Sequence, residues 1–547
     1  MKIIQVGGGT TGWLSALAIT KHLPNVDFTI IENNNPISVG EATFPSLNQF
    51  HNFLGIDENK FIRSSDATIK CAVRFDDFNQ KDTSYFHSFS SGWIIDRIKN
   101  PGIKQNIISE QFLSESPDYT NVLGRDKALD NWVWFLLENK LPGIMERGEV
   151  KSQHQLDSNE EKIITGVYAY HLNSELYQNF LKEQITTNYT HIQDTVTEIK
   201  INENGIEYIK IENNPNPMYA DLFIDCTGFS QVLIKELGVK WNSLSNFLPN
   251  NTAIVHRRKY DDPEKEMCPY TRATGLKNGW MWTIPLYTQR SHGYVFSDSY
   301  TSINDAEIEF RQTLKLKESD NCNIIHFKSG YADRPWIKNC VAIGLSASFL
   351  EPLESTGIAL SARHITDMLT ILNKGFVKQL DRDWFNQMNK TDSLQIKYFL
   401  TTHFIHTLRE DTEYWRDWKY NRTLTDAELI RYNLTKAEKL PSDQDYNTIF
   451  FPGVGFEHIM SMHGATQSYN PINLKYDLSQ WAIDKFLPNI KKHIKNRKEQ
   501  LQREVKTATN NYEFMQQLHK NGGVAQLEEH IPCTDKVAGS TPVASTM

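Results

Sequence analysis

Ile3-Ile4-Gln5-Val6 runs into Gly7-Gly8-Gly9-Thr10-Thr11-Gly12, and then into an Ala- and Leu-rich stretch, Trp13–Leu23. Phe28-Thr29-Ile30-Ile31 follows and ends in Glu32. The order reads as strand, glycine turn, helix, strand and acid. This is the G-x-G-x-x-G form of a βαβ unit that binds dinucleotides. Gly7 permits the tight turn, Gly9 lets a pyrophosphate approach the backbone, and Gly12 lets helix and strand pack closely. Thr10 and Thr11 lie at the helix N-terminus, whose free N–H groups and positive end favour phosphate. Glu32 can accept hydrogen bonds from a ribose hydroxyl. The fingerprint alone does not separate FAD from NAD.

The rest of the composition narrows the class. The chain has 547 residues, 39% hydrophobic and 23% charged, which is ordinary for a globular protein with a large core. Its net charge of −8 argues against a nucleic-acid partner. The six cysteines (Cys71, Cys226, Cys268, Cys322, Cys340 and Cys533) form no C-x-x-C pair, so no zinc site is expected and a reduced, cytoplasmic protein fits best. No apolar run is long enough to span a bilayer, and no secretory leader precedes the first strand.

Further along, Val39-Gly40-Glu41-Ala42-Thr43-Phe44-Pro45 reads as a turn before a helix from about Ser46 to Leu54. Ala67–Phe75 alternates as one strand, with Ile69, Cys71, Val73 and Phe75 on one face and Lys70, Ala72 and Arg74 on the other. On that pattern Lys70 faces solvent. Tyr85-Phe86-His87-Ser88-Phe89 is an aromatic cluster with a histidine inside it. Residues 95–160 are polar and irregular, with a helical stretch near Asp130–Glu138, and read as an excursion. Ala169–Gln184 reads as a helix, and His191–Tyr208 as strands with a hairpin. Asp221–Asp225 is an apolar strand entering Cys226-Thr227-Gly228, a turn that can return to the dinucleotide. Cys340-Val341-Ala342-Ile343-Gly344 is a late buried strand, with Gly344 placed at the cofactor.

Two strings carry most of the information about chemistry. The first is Lys277-Asn278-Gly279-Trp280-Met281-Trp282-Thr283-Ile284-Pro285. In an extended segment Trp280 and Trp282 share a face and make a broad apolar wall. The second is Phe349-Leu350-Glu351-Pro352-Leu353-Glu354-Ser355-Thr356-Gly357, followed by a helix from about Ile358 to Leu372 with Gly375 as its stop. A Ser-Thr-Gly turn before a helix is a cap and an anion site, because free N–H groups and the helix dipole both attract negative charge. Taken alone, Glu354 is a carboxylate that offsets the helix dipole.

Together, W-x-W-x-I-P, F-x-x-P-x-x-S-x-G and the N-terminal fingerprint resemble the flavin-dependent halogenases, the tryptophan halogenase family. The resemblance implies an α/β (α+β) flavoprotein. Its N-terminal Rossmann-like FAD-binding domain, of the flavin monooxygenase type, is interleaved with a mostly helical, substrate-covering subdomain. Residues 1–380 would form the FAD-binding core and 381–521 the helical part, while 522–547 resemble translation into a tRNA gene and read as a functionless tail. The basic, polar stretch Ile490–Gln516 reads as a solvated helix or pair of helices.

The resemblance also assigns roles. Gly40, Glu41, Ala42 and Thr43 match the strap against the flavin. Lys70 matches the catalytic lysine, which reverses the solvent-facing reading, and Glu354 the catalytic carboxylate. Thr356 and Gly357 match the halide site. His87, Phe89 and Ser355 would contact substrate. Trp280, Trp282, Ile284 and Pro285 would form the wall of a tunnel that separates flavin from substrate. A separate flavin reductase would supply FADH2, and chloride, bromide or iodide would be oxidised to hypohalous acid for an electron-rich aromatic ring. The run that holds free tryptophan in specific members is not found near Tyr446–His463, so a simple indole or phenol is expected instead. No metal is expected, and a homodimer is left open. The alternatives are an FAD-dependent aromatic hydroxylase and a silent FAD-binding protein. The wall argues against hydroxylation, which needs substrate at the flavin.

Overall fold

The computed structural model describes residues 1–23, 25–33, 40–89, 132–146, 148–151, 165–405, 407–421, 499 and 502–521. The fingerprint folds as read. A strand at Lys2–Val6 leads to a helix at Thr10–His22, and a second strand at Asp27–Glu32 lies parallel to the first. These two strands sit inside a six-stranded sheet. Its order is Thr190–Gln193, Asp27–Glu32, Lys2–Val6, Leu222–Asp225, Cys340–Ala342 and Trp336–Ile337. All neighbours are parallel except the last pair. Gly7 has φ +107, and a Cβ there would lie 2.2 Å from the Cys226 carbonyl oxygen. No other residue type fits that turn without strain.

The helix Thr10–His22 is buried on nearly every side, which suits its apolar composition. It packs between a helix at Ser174–Gln184 and a core helix at Gly357–Leu372. The cluster beneath it includes Ile3, Trp13, Leu14, Phe28, Phe50, Phe61, Ile365 and Met368.

A second sheet has seven strands, ordered Asn323–His326, Thr252–Arg258, Arg290–Phe296, Gly279–Pro285, Tyr270–Gly275, Ala72–Asp76 and Ser84–Ser88. One face of it meets a long helix, Gln379–Ile405, and a short one, Glu413–Tyr420, in a cluster with Trp280, Trp282, Phe75, Phe399, Phe404, Trp415 and Trp418. A three-stranded sheet (Gly40–Ala42, Ala169–Asn173, Thr68–Lys70) packs against the seven-stranded one.

Several expectations need correction. Ala67–Phe75 is not one strand. It breaks at Cys71, whose N–H donates to the Pro269 carbonyl while its own carbonyl accepts from Phe89 N–H. The two halves therefore join different sheets, and Lys70 is fully buried, against the bare alternation pattern but as the family resemblance had implied. Ala169–Asn173 is a strand, and the helix begins only at Ser174, capped by the Asn173 side chain. The helix expected near Asp130–Glu138 is a single turn, Val133–Leu136. Of the Ile490–Gln516 stretch, residues 490–498, 500 and 501 lie outside the described residues, and its last six residues begin the helix Asn511–Asn521, which docks through Phe514, Met515 and Leu518 and is not solvated on that face. Cys533, the Tyr446–His463 run, residues 522–547 and most of the 95–160 excursion lie outside the described residues.

The Asp225-Cys226-Thr227-Gly228 turn has a clear physical anchor. Asp225 is fully buried, and its carboxylate accepts from Thr227 N–H and Oγ1, Leu233 N–H, Ile234 N–H and Ser346 Oγ, at 2.6–3.0 Å. Bonds from neutral donors to a charged acceptor are among the stronger ones. Asp225→Ala should lower unfolding stability by about 3 kcal/mol in urea titration. Glu198→Ala, in the exposed Val196–Asn202 strand, should change it by less than about 0.5 kcal/mol.

Candidate active site

A cavity of about 810 Å³ runs from the glycine turn to the tryptophan strand. Its polar end is lined by Gly7, Gly8, Gly9, Thr10, Thr11 and Glu32, with Gln178 and Lys182 from the Ser174–Gln184 helix. The Glu32 carboxylate accepts from Trp13 Nε1 (3.2 Å) and Lys182 Nζ (3.1 Å), and His191 Nε2 lies 2.9 Å from it. A Cβ at Gly9 would meet no atom within 4 Å, so the backbone there is open to a ligand. Gly40, Glu41 and Ala42 line the middle. Trp280, Trp282, Ile284 and Val295 line the apolar end. The size and the polar-to-apolar gradient fit FAD, a long cofactor with a charged pyrophosphate and a flat aromatic head.

Three residues assigned to the cofactor do not reach the cavity surface. Gly12 packs on the Gly7 carbonyl, and Gly344 (φ +67) packs against Thr11. Thr43 turns away: its hydroxyl donates to the Tyr170 carbonyl, and its own carbonyl accepts from Lys70 Nζ.

The tryptophan wall is built by strand alternation. Trp280, Trp282 and Ile284 share the cavity face, with the two indole centroids 6.2 Å apart and tilted by 58°. Pro285 falls on the other face by alternation and does not line the cavity, so it is not part of the wall; its carbonyl accepts from Thr68 Oγ1. Across the sheet, Trp282 pairs with Gly293. A Cβ at Gly293 would lie 2.0 Å from Trp282 Cζ2, so the indole lies flat over the glycine.

The turn Pro352–Gly357 closes the apolar end and has two sides. Pro352, Ser355 and Gly357 line the cavity. Glu354 points the opposite way and is fully buried. The reversal falls at Ser355, whose φ of +62 is in the left-handed region. A non-glycine residue held there costs on the order of 1 kcal/mol, and such strain gathers at functional sites. Thr356 is buried and adds no side-chain cap to the helix Gly357–Leu372.

Behind this turn lies a compact polar cluster. Lys70 Nζ donates to Ser355 Oγ (2.9 Å) and to the Thr43 carbonyl (3.0 Å), and sits 5.2 Å from the centre of the Phe89 ring. Phe89 in turn meets Phe44 edge-to-face. Burial lowers the Lys70 pKa to about 7, although the Glu354 charge opposes the shift. Burial pushes Glu354 up, but the His87 charge and the hydrogen bonds of His403 and His87 outweigh it and bring the carboxyl down to about 2. Glu354 is therefore an anion in a dry site. His87 was expected at the substrate. Its Nδ1 lies 3.0 and 3.1 Å from the two Glu354 oxygens, so that nitrogen is committed to the carboxylate.

His403 was missed by sequence reading. It is fully buried in the long helix, with Nε2 2.9 Å from Glu354 Oε1. A histidine inside a 27-residue helix gives no local signal of a partner in a distant turn. Among the described residues no cluster could hold a metal ion, and no helix is long and apolar enough to cross a membrane.

Comparison with known proteins agrees with this architecture. Residues 2–476 match the family model described as tryptophan halogenase. Tryptophan 6-halogenase SttH of Streptomyces toxytricini is 31% identical over 453 residues, covering 81% of this chain and 85% of that relative. Tryptophan 7-halogenase RebH of Lentzea aerocolonigenes is 30% identical, covering 76% and 78%. The crystal structure of SttH superposes with a TM-score of 0.81 at 28% identity, over 94% of this chain and 99% of that one. Xcc4156, a flavin-dependent halogenase from Xanthomonas campestris, gives 0.78 at 25% identity, over 94% and 98%. A dinucleotide cavity walled by two indoles, with a buried amine and carboxylate behind it, thus sits in a chain that belongs to the tryptophan halogenase family, whose members are flavin-dependent enzymes.

Proposed function

We propose that this halogenase modifies a simple electron-rich aromatic ring, indole- or phenol-like, rather than free tryptophan. Lys70 and Glu354 are its reactive pair. The observation that carries the role of this pair is the two-sided turn: Ser355 and Gly357 face the cavity, while Lys70 and Glu354 lie behind it.

Gly7, Gly9, Thr10, Thr11 and Glu32 would hold the pyrophosphate and ribose end of FAD, and Gly40, Glu41 and Ala42 its flat head. Bound FAD, delivered reduced by a separate flavin reductase, supplies with oxygen the oxidising power that turns halide into hypohalous acid. The backbone at Thr356 and Gly357, at an N-terminus without a side-chain cap, would hold the halide. Trp280, Trp282 and Ile284 keep the organic ring out of the cavity, so halide and not substrate meets the oxidant. This disfavours hydroxylation.

Lys70 then orients the hypohalous acid by hydrogen bonding. The ring's electron pair forms the carbon–halogen bond as the oxygen–halogen bond breaks. The departing oxygen takes a proton from the Lys70 ammonium and leaves as water. Glu354, already ionised, stabilises the ring cation and accepts its proton. A carboxylate with a pKa near 2 is a weak base. It suffices here because a protonated arene is a far stronger acid. Phe89 offers a ring face beside Lys70 for stacking. The five described cysteines are free thiols, in keeping with the cytoplasmic setting we propose.

Three outcomes are expected. Lys70→Ala and Glu354→Gln should each lower halogenation by at least ~100-fold while retaining FAD, read by product mass and flavin absorbance. Full activity in either would remove that residue from the chemistry. Given reduced flavin, air, each halide and a panel of arenes, indole should be turned over faster than tryptophan; equal rates would contradict the substrate class. Gly293→Ala should displace the Trp282 indole, so less halogenated product forms per oxygen consumed.

A further inference from the structure

The carboxylate of Glu354 is wholly enclosed, and a lone charge in that position would neutralise itself by taking up a proton. Two histidines prevent this. His87 reaches it through Nδ1 from the edge strand Ser84–Ser88. His403 reaches it through Nε2 from the helix Gln379–Ile405. The second contact continues one step further. The Tyr85 hydroxyl lies 3.2 Å from His403 Nδ1, the other ring nitrogen. The imidazole is also fixed in plane, stacked on Phe75 at 4.5 Å and 23°, with Phe399 edge-on at 5.3 Å.

The proton arrangement follows from these contacts. Nε2 lies 2.9 Å from Glu354 Oε1, a close charge contact without full hydrogen-bond alignment, and because an ionised carboxylate can only accept, the imidazole proton facing it sits on Nε2. Burial favours the neutral form of His403, lowering its pKa below the ordinary value although Glu354 opposes the shift. Its Nδ1 is then a bare acceptor, and the Tyr85 hydroxyl donates to it. We infer that Tyr85 and His403 form a positioning pair: Tyr85 selects the imidazole tautomer, and His403 holds Glu354 ionised and aimed for the halogenation step. Neither residue touches substrate. The groups facing Glu354 are His87, His403 and the Lys70 charge; those facing His403 are Glu354, Tyr85 and His87. The role rests on the halogenase reading, because it acts through Glu354.

The test compares His403→Phe, which keeps the stacking but removes both nitrogens, with His403→Gln, whose amide N–H can take the place of Nε2–H. Tyr85→Phe frees the tautomer. His403→Phe should lower kcat about 10- to 100-fold with KM changed little, as outer-shell orienting partners do. It should also create a new acid limb in the pH profile, because Glu354 now protonates within the working range. His403→Gln should restore most of kcat and remove that limb, and Tyr85→Phe should fall between the two.

A second readout needs no turnover. In protein labelled with 13C at glutamate carboxyls, the resonance missing from Glu354→Gln should stay ionised across about pH 5–8 in the wild type. In His403→Phe it should titrate inside that window. Wild-type kcat and an unmoved resonance in His403→Phe would overturn the proposal. So would a folded His403→Gln as impaired as His403→Phe. If His403→Phe does not fold, an unshifted resonance with unchanged kcat in Tyr85→Phe overturns it instead. A wild-type protein that halogenates no arene would defeat the functional reading alone, since the resonance still reports whether the pair holds Glu354.

Discussion

One backbone reversal organises the chemistry. At Ser355 the chain enters the left-handed region between a short 3-10 turn and the start of the helix Gly357–Leu372. Because of that reversal, adjacent residues serve different compartments. Ser355 and Gly357 face the cofactor cavity, and Glu354 faces away from it. A regular helix or strand could not divide neighbours in this way, since its side chains leave at fixed angles. The contact between Lys70 and Ser355 then ties the two compartments together at 2.9 Å.

The site keeps two charges out of water, which costs several kcal/mol per ion unless partners compensate. Glu354 is compensated by two histidines. Lys70 is compensated by a hydroxyl, a carbonyl and the face of Phe89. The outcomes differ accordingly. The carboxylate is locked in its charged form, while the amine is left near neutrality, where it can give up a proton. The substitution proposed for this site would use that asymmetry: a fixed negative charge beside the developing cation, and a proton donor at the leaving oxygen.

The seven-stranded sheet supplies the second constraint. Cross-strand register puts Trp282 opposite Ala273 and Gly293, and Ala273 opposite Phe75, which faces Tyr85. The indole wall, the Phe75 stack beneath His403 and Tyr85 therefore lie on one face of one sheet. A one-residue slip would send all of them to the other face. Small residues at 273 and 293 give the indole room, so the wall depends on what is absent from its neighbours as much as on the tryptophans.

The sequence by itself determined the dinucleotide fold, because Gly7 and Gly12 answer local steric demands and Gly9 leaves the backbone open to a ligand. It also determined the pairing of Trp280 with Trp282, because a period of two is local. It carried the strings that hold Lys70, Glu354 and Ser355. Alternation alone left Lys70 at the solvent, since it tells which residues share a face and not what covers that face; the resemblance, not the periodicity, reversed this. The break at Cys71 was hidden for the same reason: its backbone partners, Pro269 and Phe89, come from other segments. Only the tertiary structure decided that His87 binds Glu354, that Pro285 turns away from the wall, and that His403 and Tyr85 meet. Those contacts join a strand, a turn and a helix far apart in the chain, and no local propensity encodes a hydrogen bond between side chains that folding alone brings together.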